Sequence, residues 1–393
     1  MINILSKIVN LKILNDLLKI YSSYSLFILL SFFSQIYAAK YFSFDNSKLL
    51  IFLLATYSWG NFFGEAGYSR YEVSIKYQNN NTLYSIYLRK YLSILIIMLI
   101  GNFLLDNILL KLKFVTIIFL MISFFCSSLF VPANLYRRGY KFISYLPNLL
   151  FVIYVFGSFV LTYKYNFSID ASLIKLSILF STLNLTLFIF LNKNLNFNVN
   201  KLEILKFANK RINYLNNISY LSCILSILVF FLISKMSESS YYILFSRLID
   251  GINSLFGILA LICIKHNLLK RWINIIILSS LIVISILVIF LFLLIYSSGN
   301  ITLNQFFPIF TYYLVSTGTL FISAAVSQYK KENRLKLLIR INVLLISICA
   351  LVTMILMFKK LDINLINIVF YMMTLVSAYP IRYYLKLLNK FMK

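Results

Sequence analysis

Arg247 and Asp250 stand three residues apart inside an otherwise apolar run. A guanidinium and a carboxylate at that spacing share one helix face and can pair. Gly251, Ser254 and Gly257 continue the same face, while Leu248, Ile252, Leu255 and Phe256 point elsewhere. A charge at mid-bilayer depth costs several kcal/mol unless it meets water, a ligand or an opposite charge. Two roles fit. One is a cationic site for an anionic group such as a phosphate, with Asp250 and Ser254 beside it. The other is a structural Arg–Asp pair buried between helices.

Other polar faces run along neighbouring apolar segments. One carries Tyr57, Asn61, Gly64, Glu65 and Tyr68 at helical spacing, close to Gly60 and Gly67. Glu65 suits a coupling cation or a basic partner, and equally a carboxylate in contact with interfacial water; Asp250 is a second candidate for ion coupling. Ser31, Ser34 and Gln35 form a shorter stripe, and Thr311, Tyr312, Ser316, Thr319 and Ser323 follow Pro308 on another. Hydroxyls and amides of this kind line a path for a sugar or bond helix to helix. Arg137 and Arg138 are adjacent, and paired guanidinium groups match phosphate geometry. Arg138 therefore joins Arg247, Asp250, Ser254, Asn61 and Gln35 as a candidate substrate contact.

These residues need long apolar helices to position them. The chain of 393 residues is 61% hydrophobic and only 12% charged, where a soluble domain carries roughly 25% charged residues. Apolar runs fall near 20–39, 49–66, 91–110, 114–134, 142–163, 172–191, 214–234, 240–262, 273–296, 305–328, 341–358 and 364–381. Each is close to the ~20 residues that a bilayer core requires. Alternate connections carry 27 of the 37 Lys and Arg residues, against 8 on the intervening ones; Lys175 and Arg247 complete the set. The rich side is cytoplasmic by the positive-inside rule, which places both termini there. Lys175, near a span end, can extend its side chain to the interface. On this count the first half holds no other basic residue inside a span.

The expected fold is an all-α polytopic membrane protein of about twelve helices in two six-helix lobes. Residues 1–191 form one lobe and 214–393 the other. The connection 192–213 is a cytoplasmic linker, and within it 201–212 has Leu202, Leu205 and Ile212 on one face, as an interfacial helix does. Residues 1–20 interleave Lys7, Lys12, Asp16 and Lys19 with Ile and Leu and lack a cleavable leader's apolar core. A weak internal repeat places FFG at 62–64 and LFG at 255–257, each in the second span of its half.

The net charge of +26 is dispersed over helix ends, which argues for anionic headgroups and against nucleic acid. Four isolated cysteines and a single histidine, His266, make no metal site. No GxxxxGK[ST] loop is present for ATP, and no cofactor is expected.

The strings YFSFDNS at 41–47, FFGEAG at 62–67 and ESSYYILFSR at 238–247 carry a family resemblance. With twelve spans, inside termini and a basic middle linker, the chain resembles the Wzx-type O-antigen and polysaccharide flippases of the MATE-like MOP superfamily. The resemblance implies two lobes around a central cavity lined by the first two spans of each. A lipid-linked oligosaccharide, diphosphate included, would cross the inner membrane by alternating access, with Arg247 on diphosphate or an acidic sugar. Such a protein is not an enzyme, and it works beside other polysaccharide-assembly proteins in O-antigen, lipopolysaccharide or capsule biosynthesis. A multidrug-type antiporter is the alternative, and a membrane glycan polymerase or acyltransferase a third. The topology has a direct check. Reporter fusions active only outside the cytoplasm are expected to be silent at both termini and within 192–213, and active within 235–239 and 359–363. An active fusion within 192–213 breaks the twelve-span count.

Overall fold

The computed structural model describes residues 26–65 except Phe32 and Ala39, 80–131, Leu135, 143–191, and Ile224, Ile227, Phe230 and Phe231. The described part is all-helical. In chain order α1 is Leu26–Ala38, α2 Phe44–Glu65, α3 Asn80–Leu104, α4 Phe114–Ser128, α5 Leu146–Tyr165 and α6 Ile169–Leu191. Three stretches, Ile86–Leu104, Ile143–Tyr165 and Ile169–Leu191, are long and apolar enough to cross a membrane. They coincide with the third, fifth and sixth runs read from the sequence.

The helix ends are written in the sequence. Asp106 and Asn107 take left-handed backbone (φ 54° and 57°) and stop α3. The third apolar run, 91–110, is clean only to Leu105 and has Asp106 at its outer end; beyond it Ile108–Lys111 forms a separate 3-10 turn. The Asn102 side chain accepts the Leu109 amide at 2.7 Å and holds that turn. Pro147 opens α5 and left-handed Asn166 closes it. Asp170, in the first turn of α6, accepts the Lys113 amide at 2.9 Å and the Thr116 hydroxyl at 2.5 Å. Its carboxylate thus caps the N-terminus of α4, where the helix dipole favours negative charge.

Packing divides the helices into two kinds. On α3, Leu88, Leu92, Ile96, Leu99 and Phe103 are exposed along one stripe, while Tyr87, Lys90, Ile94 and Met98 are buried on the other. That is the amphipathic pattern of a helix with one face toward lipid. On α2, by contrast, every residue from Ser47 to Tyr57 is buried. These three turns sit inside the bundle, and Ser58, the next residue, is exposed. The helix packs along α3, meets α5 through Tyr57 and Phe151 with ring centroids 4.0 Å apart, and receives Phe230 and Phe231 of the seventh apolar run against Trp59 at 5.2 and 6.2 Å.

The α2–α3 crossing depends on glycine. A Cβ built on Gly60 would lie 2.0 Å from Ile94 Cγ1, and one on Gly64 would lie 2.3 Å from Lys90 Cα. Phe52 likewise covers Gly101, with a ring carbon 2.3 Å from where a Cβ would stand. The GNFFG string at 60–64 is thus a small-xxx-small motif that lets two backbones approach. At the Phe44 end an exposed Lys111–Asp45 ion pair of 2.7 Å ties the 3-10 turn to α2. Lys48, just before the apolar run that starts at Leu49, is nearly buried. Burial lowers its ammonium below the usual lysine value, opposed by Asp106 and Asp45 and reinforced by Lys111.

Gly64→Ala must separate two backbones and is expected to cost about 1–3 kcal/mol, the usual penalty of overpacking. Gly157→Ala would meet only a Leu176 methyl at 3.3 Å and should be nearly neutral. Thermal unfolding of the two variants in detergent compares them; equal midpoints would refute the tight crossing.

Candidate functional site

The polar stripes of α1 and α2 separate into atoms used by the fold and atoms left over. On α1 the Ser34 hydroxyl donates to the Ser31 carbonyl at 2.7 Å. The Gln35 amide nitrogen donates to Ser31 Oγ at 3.0 Å. On α2 the Tyr57 hydroxyl donates to Asn148 Oδ1 at 2.7 Å, joining the middle of α2 to the first turn of α5. Tyr57 is 2% exposed and its ring stacks on Phe151, so it serves as a structural pin between helices.

Three oxygens remain. Gln35 Oε1, Thr56 Oγ1 and Asn61 Oδ1 are buried and have no hydrogen-bond partner among the described residues. Leaving a buried acceptor unmatched costs roughly 1–3 kcal/mol. Polar atoms kept at that cost in apolar helices mark places where water or a ligand hydroxyl completes the bonding. Thr56 was not singled out from the sequence. Its signal was weak, because Thr within an apolar helix usually bonds back to its own backbone.

The candidates are not brought to one point. Gln35 lies one turn from the Ala38 end of α1, and Asn61 lies one turn from the Glu65 end of α2. Glu65 is the last residue of α2. Arg247, Asp250, Ser254 and Arg138 lie outside the described residues, as do Tyr68 and the stripe that follows Pro308.

Lys90 departs from the sequence expectation. The charge count treated it as a loop residue, yet it lies within the Ile86–Leu104 span and is fully buried. The first half therefore does hold a basic residue inside a span besides Lys175. The Lys90 stem packs on Gly64, and its ammonium donates to the Phe130 carbonyl at 2.6 Å. Phe130 follows the end of α4, where carbonyls lack helical partners and a cation is favoured. Phe130 is itself packed with Leu135 and Leu191. The missed signal was phase: Lys90 falls on the buried side of α3, four residues before Ile94. Lys175, by contrast, behaves as read. It is exposed, and its ammonium reaches the Phe167 ring at 4.8 Å, beyond the start of α6.

No protein-family model matches the chain, and neither a characterised protein nor a solved structure does.

Replacing an unmatched buried amide by an apolar side chain of similar volume removes a cost and breaks few bonds. Asn61→Leu is expected to leave the unfolding midpoint unchanged or raise it by up to the equivalent of about 1–3 kcal/mol. Tyr57→Phe strands Asn148 and should lower it, by about 0.6 kcal/mol if typical of helix–helix bonds in membranes. Thermal unfolding in detergent measures both. A fall with Asn61→Leu larger than that with Tyr57→Phe would assign Asn61 to the fold alone.

Proposed function

We propose that the chain is a flippase that moves an undecaprenyl-diphosphate-linked oligosaccharide, an O-antigen or capsule repeat unit, across the bacterial inner membrane. Twelve helices in two six-helix lobes surround a polar cavity, with 192–213 as the cytoplasmic link and both termini inside. Transport proceeds by alternating access, and no covalent bond of the substrate changes.

One observation carries this reading. Gln35, Thr56 and Asn61 keep buried, unmatched oxygens on α1 and α2, the two helices that the family resemblance assigns to the cavity wall. Neutral amides and hydroxyls suit a ligand rich in hydroxyl groups, which can exchange donors and acceptors along the way. A drug-like cation would instead call for acidic side chains there. The anionic end of the ligand needs a cation, and Arg247 supplies one on a face of small residues that leaves room beside it. Asp250 keeps the guanidinium oriented, and Ser254 adds a donor one turn further on. At the cytoplasmic mouth Arg138 meets the diphosphate first. Glu65 and Asp250 are the carboxylates available to an ion gradient, and assembly enzymes on either face supply and consume the cargo.

The decisive experiment is complementation of a strain that lacks its own flippase for the same glycan. Arg247→Ala is expected to abolish surface glycan, at least a tenfold loss, while protein stays in the membrane at normal abundance. Arg247→Lys tests guanidinium geometry against charge alone and should restore only part of the display. Full display by Arg247→Ala would remove Arg247 from the substrate path.

A further inference from the structure

At the Phe44 end of the bundle the exposed surface carries two pairs of rings, each with ammonium groups beside it. Tyr41, at the end of the segment following α1, meets Tyr163 of α5 with centroids 6.0 Å apart. Two residues on, Tyr165 meets Phe167 at 6.5 Å in the α5–α6 turn. Lys40 lies 5.3 Å from the Tyr41 centroid, Lys164 lies 5.6 Å from that of Tyr165, and Lys175 lies 4.8 Å from that of Phe167. All four rings are between 42% and 57% exposed.

The charges on this surface are not matched internally. Among the described residues the ion pair at this end is Lys111–Asp45, and Asp170 is turned to the N-terminus of α4. Among the described residues, Lys40, Lys164 and Lys175 therefore present three cations without a carboxylate partner. Lys175 is the informative member. It rises from a full turn inside an apolar helix to reach the level of the turn, where a bilayer's headgroups begin. The surface also lies on the side that the charge count makes poor in basic residues, so orientation of the chain does not explain it.

We infer that this surface binds the phosphate headgroup of an anionic phospholipid in the adjacent leaflet. Amphipathic rings sit at headgroup depth, and ammonium groups there are attracted to anionic headgroups. A headgroup phosphate held between Lys164 and Lys175 would leave its acyl chains against the exposed Ile178 and Leu179 of α6. The site stands apart from any transported cargo and does not depend on the flippase reading.

The test uses the full chain in neutral detergent, with lipid retention read by native mass spectrometry. Wild type is expected to retain phosphatidylglycerol at least threefold over phosphatidylcholine, with inorganic phosphate at equal concentration competing poorly. The triple variant Lys40→Gln, Lys164→Gln, Lys175→Gln should lose that preference and keep its unfolding midpoint in detergent. An unchanged preference in the triple variant overturns the assignment, as does full competition by inorganic phosphate. If the variant does not fold, wild type is irradiated in vesicles of phosphatidylglycerol bearing a photoreactive headgroup. Label on residues 163–175 supports the site, and label confined to the cytoplasmic connections overturns it.

Discussion

The close approach of α2 and α3 governs the arrangement around it. Helices in a bilayer gain little from hiding apolar surface from each other, because lipid tails are equally apolar. What favours their association is contact, and contact grows as backbones approach. Gly60 and Gly64 remove the side chains that would keep α3 away, and Ile94 and Lys90 occupy the space. Once α3 is seated there, the opposite faces of α2 are fixed as well. Tyr57 then points to Asn148 and Phe151 of α5, and Trp59 points to Phe230 and Phe231. A single helix buried over three turns thus determines where three neighbours go.

Lys90 shows how the same crossing solves an electrostatic problem. Its stem uses the space above Gly64, so a long side chain is buried without a cavity being opened for it. Its head completes the end of α4, whose last carbonyls would otherwise face apolar surroundings. A cation inside a span need not belong to a transport path. This one contributes to holding α3 and α4 together; what distinguishes Arg247 in the sequence is that small residues, Gly251, Ser254 and Gly257, follow it at helical spacing.

Much of this was legible in the sequence because it rests on composition and period. Runs of ~20 apolar residues gave α3, α5 and α6. Asp106 lies just past the end of α3 at Leu104, six residues before the limit of the apolar run. Three things were not legible. The burial of three turns of α2 depends on neighbours far away in the chain, and its own residues look no more interior than those of α3. Lys90 was assigned by its position beside Arg89, when its helical phase with Ile94 was the better guide. The unmatched hydroxyl of Thr56 was the third, because a threonine in an apolar helix usually bonds back to its own backbone.

Phe230 and Phe231 close a notch formed by Phe52, Trp59 and Gly101, and they are made some 130 residues after Gly101. At about 5–20 residues per second, the ribosome needs roughly 6–26 s to supply them. Residues 192–231, which follow α6, take roughly 2–8 s of that interval, and throughout it α2 carries an aromatic-lined gap. Lipid or an insertion factor must occupy it and then leave. The order of synthesis therefore makes the seventh helix a latecomer to a structure that is incomplete without it, and a chain cut before that point ends with its central packing unfinished.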